Sequence, residues 1–142
     1  MNEQKLIEKL RRIEALFAGS DVSGEKAAAA DAYDRIRRRL AEVRKADPPV
    51  EYKFTMGDLY KRRLFVALLR RYGIEPFRYA RQRYTTVMAH VPQNFVDEIL
   101  WPEFQELSST LDEYLDQVTN RVISEAVHGD TSEASERRRL SG

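Results

Sequence analysis

The sequence contains no cysteine and only two histidines in 142 residues. Without thiols there are no disulfides, no thiolate-bound metals and no cysteine nucleophile, and a reducing, cytoplasmic setting is expected. His90 and His128 stand far apart, in neither a His-x-x-x-His nor a Glu-flanked spacing, so no metal site is expected. Glycine is scarce, and Gly57, Gly73 and Gly129 build no phosphate-cradling loop. No long apolar run follows Met1, so neither a secretory signal nor a membrane anchor is expected. Ser108 and Ser109 lack the context of a nucleophile elbow. The carboxylate pairs Asp97/Glu98 and Asp112/Glu113 are adjacent in sequence and splay apart on a helix. These absences predict a protein that is not an enzyme and takes no cofactor.

What is present is a charge pattern hidden by a net charge of +1. Residues 1–48 are nearly balanced, with 11 Lys/Arg against 9 Asp/Glu. Residues 49–90 are basic, 9 against 3, and residues 91–142 acidic, 4 against 11. A basic segment attracts anions, while an acidic one can oppose it or recruit a different partner. The length and the 42% hydrophobic content suit a single domain with a real core. We expect an α+β domain over residues 1–128 and a disordered tail over 129–142, where large apolar residues are nearly absent.

Leu6, Ile7, Leu10, Ile13, Leu16 and Phe17 form the apolar stripe of an amphipathic helix that Gly19 ends. A second helix, from about Glu25 to Arg44, would bury Ala29, Tyr33, Ile36, Leu40 and Val43, so that residues 1–47 make a helical hairpin closed by Pro48 and Pro49. Val50, Tyr52 and Phe54 alternate with polar residues as in a short strand. Asp58 can cap a helix terminated by Gly73, with Leu64, Phe65, Leu68, Leu69 and Tyr72 on one side and Arg62, Arg63, Arg70 and Arg71 on the other. Phe77–Ala80 and Tyr84–Val91 read as a β-hairpin around Arg81-Gln82-Arg83, completing a small antiparallel sheet with one intervening helix. A long C-terminal helix opens at Pro92, and Pro102 divides or kinks it.

Lys9-Leu10-Arg11-Arg12-Ile13-Glu14-Ala15-Leu16, a short Gly/Ser-rich link, and Gly24-Glu25-Lys26-Ala27-Ala28-Ala29-Ala30 leading into Ile36 and Leu40 resemble an uncharacterised bacterial and phage family, the domain of unknown function 2786. The resemblance covers residues 5–45, about a third of the chain. In that family the link leads into an acidic residue and an Ala-rich helix, a part that Glu25 and Ala27–Ala30 would take here. It implies a phage or mobile-element setting and no established activity. The acidic helix after Pro92, with Pro102, departs from the family pattern.

Two surfaces are candidate sites. Arg62, Arg63, Arg70 and Arg71 continue into Arg78, Arg81 and Arg83, beside the rings of Phe77, Tyr79 and Tyr84. Guanidinium groups pair with phosphates and exposed rings stack on unpaired bases, so this surface predicts nucleic-acid binding, although no helix-turn-helix or RNA-recognition signature accompanies it. The plainer alternative is a solvated charged face over core rings. Arg35, Arg37, Arg38 and Arg39 make another basic run, with Asp31 and Asp34 within reach to neutralise it. The second candidate is assembly: Leu107, Leu111, Tyr114, Val118 and Val122 trace a three-four seam that fits a protein partner or a second copy, or packs on its own domain. No membrane partner is expected.

Overall fold

The computed structural model describes residues 2–18, 38, 42 and 47–140. Helix α1 (Glu3–Ala18) leads the chain; strand β1 (Val50–Thr55), helix α2 (Leu59–Arg71) and strand β2 (Thr86–Val91) follow. The short helix α3 (Gln93–Phe95), a π-helical turn (Val96–Leu100) and α4 (Trp101–Ala126) run on without interruption. The strands form a two-stranded antiparallel sheet with α2 between them in sequence, an α+β arrangement. Of the second helix of the expected hairpin only Arg38 and Glu42 are described, both helical; its other residues lie outside the described ones. Residues 128–140 form no helix or strand. No helix among the described residues is long and apolar enough to cross a membrane.

Local chemistry accounts for the boundaries of α2. The Asp58 side chain accepts a hydrogen bond from the Lys61 amide at 2.8 Å, satisfying an amide the helix start leaves open. At the other end Gly73 takes φ 74°, so that its N–H reaches Arg70 O and the Ile74 N–H reaches Leu69 O. That is the Schellman closure, which glycine enters without a Cβ penalty, and it turns Ile74 into the core.

The core forms where α2 and the long helix close on the inner face of the sheet. Phe65 and Leu69 from α2, Phe54 from β1, Val87 and Val91 from β2, and Phe95, Leu100 and Phe104 from the C-terminal helices are all buried there. Phe65 stands at its centre, edge-on to Phe104 at 5.0 Å and tilted against Phe54 at 4.5 Å between ring centroids. Helix α1 lies over α4 and brings Leu6, Leu10 and Ile13 to this core. Leu16, expected in the same stripe, is 74% exposed.

One expectation needs correction. Instead of pairing in a hairpin with residues 77–80, β2 pairs along its whole length with β1, from Val50 opposite Val91 to Thr55 opposite Thr86, and Phe77 joins its far edge through one bridge to Met88. Beyond Phe77 the backbone turns on itself: Tyr79 bonds to Gln82 through both its N–H and its C=O, the Thr86 N–H goes to Arg83 O, and the Arg78 side chain donates to the carbonyls of Thr86, Gln82 and Arg83, so no ladder bonds are left for a second strand. At Pro102 the C-terminal helix changes geometry and runs on. The preceding turn widens to π geometry, with the Trp101 N–H bonded to Val96 O, and the proline sits in the first turn of α4, where a missing N–H is tolerated.

Candidate nucleic-acid interface

Helix α2 and the segment after it bring part of the basic set together. Arg62, Val66 and Arg70 from one side of α2, Pro76, Phe77 and Arg78 from the following segment, and Val87 from β2 line a cleft of about 130 Å³. Tyr84 stands at a turn beside it, 63% exposed, with the guanidinium carbon of Arg62 4.7 Å and that of Arg78 5.4 Å from its ring centroid. Both distances are cation–π contacts. The turn is held by Met56 N–H to Thr85 O and Thr86 N–H to Arg83 O, so Tyr84 is presented from a fixed backbone.

The arginines differ in what they already hold. Arg78 is committed to the three carbonyls of its own loop. Arg71 is half-buried, paired with Glu14 of α1, and burial holds its pKa below the ordinary guanidinium value despite the nearby Glu103. Among the described residues Arg62, Arg63, Arg70, Arg81 and Arg83 form no ion pair. The Nε of Arg62 is buried without an acceptor. Arg81 occupies the left-handed region at φ 70°, at the tip of the loop. The guanidiniums of Arg62 and Arg70 lining the cleft, beside the exposed Tyr84 ring, can take anionic oxygens and a flat ring side by side.

The other rings expected at this surface are engaged internally. Phe77 stacks on His90 at 5.3 Å and meets Tyr79 edge-on, and the Tyr79 hydroxyl donates to Glu51. In the C-terminal seam Leu107 is buried in the core; Leu111, Tyr114 and Val118 are half-buried and Val122 is 55% exposed, so the seam runs from core to solvent along α4. Of the basic run at 35–39 only Arg38 is described, exposed on its helix.

Sequence reasoning did not single out Glu103, which is fully buried. The Tyr72 hydroxyl donates to its Oε2 at 2.7 Å, while Oε1 is buried with no partner. Burial raises its pKa from 4.5 to about 7, against the opposing pull of the Tyr72 hydrogen bond and Arg71. The signal was legible: Glu103 lies three residues after Leu100 and four before Leu107, on the apolar stripe of its helix. It lines neither the arginine cleft nor a larger groove, of about 530 Å³, between β1 and the π turn.

No family model, curated protein or solved structure matches this chain.

Proposed function

We propose that this chain is a small, non-catalytic accessory protein that binds single-stranded nucleic acid through its basic central surface. Arg62, Arg63, Arg70, Arg81 and Arg83 would hold phosphates, and Tyr84 would stack on an unpaired base. The observation that carries the reading is the arginine-lined cleft beside an exposed tyrosine: Arg62 and Arg70 line it without acidic partners among the described residues, and Tyr84 stands exposed against Arg62. An exposed ring favours an unpaired strand, since duplex bases are stacked on each other. We place the protein in the cytoplasm, in the phage or mobile-element setting implied by the resemblance of residues 5–45.

The test is fluorescence anisotropy with labelled single-stranded DNA, RNA and duplex DNA over a salt series. The variant is Arg62→Ala/Arg70→Ala/Arg83→Ala; Arg78 is spared because its side chain closes the loop. The expected result is salt-sensitive binding to single strands whose log–log salt slope falls by roughly 2 in the triple variant, about 0.7 per lost phosphate contact. Absence of binding at low salt, or an unchanged slope in the variant, overturns the proposal.

A further inference from the structure

Strand β1 has one edge without a strand partner among the described residues, and the ladder shows which residues face it. Met88 exchanges both of its backbone hydrogen bonds with Phe77, on the side of β2 away from β1. Lys53, opposite Met88, therefore cannot be in a hydrogen-bonded pair with it, and its own N–H and C=O point to the free edge. The Met56 N–H bond to Thr85 O fixes the same alternation from the strand's end. Glu51, Lys53 and Thr55 thus present their backbone groups outward, and all three residues are exposed.

We propose that a second copy of this chain pairs on this edge, β1 against β1 antiparallel about a two-fold axis at Tyr52, giving one continuous sheet in the order β2-β1-β1-β2. Hydrogen-bonded pairs can form only between outward-facing residues, so the possible registers are few. Centred on Lys53, the pairing sets lysine against lysine, and like charges directly opposite repel. Centred on Tyr52, it sets Glu51 of each copy opposite Lys53 of the other, each pair exchanging both N–H···O=C bonds; the Glu51 carboxylate, which accepts the Tyr79 hydroxyl within its own chain, would take the lysine as a second partner. This is the one register that matches acid with base. Because the interface is isologous, each match occurs twice.

The inner face agrees with this register. Val50, 47% exposed in the single chain, would fall opposite Phe54 of the second copy, and Tyr52 opposite its own equivalent. Tyr52 already stacks on Phe54 at 4.6 Å, and both line the groove of about 530 Å³ with Trp101 and Pro102. A paired strand would close the open side of that groove and remove an edge that otherwise invites nonspecific pairing. The arginine cleft, on the far side of β2, would stay uncovered.

Sedimentation velocity on the full chain tests the proposal through charge reversal. The wild-type chain is expected to show a concentration-dependent dimer. Glu51→Lys and Lys53→Glu should each weaken it about tenfold or more, since each converts both facing pairs to like charges. An equimolar mixture of the two variants should restore a one-to-one dimer, as should the double variant Glu51→Lys/Lys53→Glu by itself, results that misfolded variants could not produce. A wild-type chain that stays monomeric into the millimolar range leaves the edge to a foreign strand and overturns the proposal. So does a dimer indifferent to the reversals, which would assign association to another surface such as the α4 seam.

Discussion

Replacing the buried carboxyl of Glu103 by an amide, Glu103→Gln, should remove a pH dependence that this one residue imposes on stability. In the folded chain its pKa is about 7, against an ordinary 4.5. Between those values the folded state holds a proton that the unfolded chain has released, so stability falls as pH rises. Below 4.5 both states are protonated and the residue contributes no slope; above the folded value the full penalty of a buried charge is present. At about 1.4 kcal/mol per tenfold of proton affinity, the penalty is about 3.5 kcal/mol. Glutamine occupies the same volume, can still accept the Tyr72 hydroxyl through its carbonyl, and carries no charge at any pH. Urea unfolding of both proteins from pH 4 to 9 should therefore show the variant gaining about 3.5 kcal/mol on the wild type across the range. That corresponds to a relative midpoint shift of between about 1 and 3 M. The two other charged groups that act on the carboxyl, Arg71 and Glu106, are present in both proteins and cancel in the comparison. A stability difference that stays constant with pH would refute the reasoning, because it would mean that Glu103 ionises in the folded chain as it does in the unfolded one.

Two further outcomes are expected. Arg78→Ala deletes three hydrogen bonds to loop carbonyls and should destabilise the chain by about 2 kcal/mol, with Arg78→Lys recovering only part of the loss because an ammonium cannot span the three acceptors; urea midpoints measure it. Phe65→Ala empties the site between Phe54 and Phe104 and should cost about 3–5 kcal/mol, read from the same transitions with an unchanged m-value.

The arginine surface carries two different kinds of residue that composition cannot separate. Arg71 and Arg78 serve the fold, one tying α2 to α1 and the other closing a loop. Arg62, Arg63, Arg70, Arg81 and Arg83 form no ion pair among the described residues, and the proposed binding would use them. Nucleic-acid binding and pairing through β1 would use opposite sides of the sheet, so a paired chain would carry two arginine clefts, one beside each β2.

Local elements were legible because their causes are local. Periodicity and capping placed α1, β1 and α2 close to their observed bounds, since the apolar stripe, the Asp58 cap and the Gly73 stop act within a few residues. The buried face of α2, Phe65, Leu68, Leu69 and Tyr72, followed from the same spacing. The pairing of β2 was not legible, because the choice between a neighbouring segment and a strand some thirty residues away depends on where α2 packs and on the carbonyls that Arg78 captures. Nor could the sequence tell the arginines apart: all of them lie on polar positions, and only the approach of α1 with Glu14, the curl of the loop and the placement of Tyr84 assign them partners. The sequence by itself determined the helices, their caps, the β1 alternation and the basic centre of this chain, because those rest on near neighbours. The tertiary structure decided the strand order, which edge of β1 has no strand partner among the described residues, the burial of Glu103 and the arginine-lined cleft, because those depend on groups distant in sequence meeting in space.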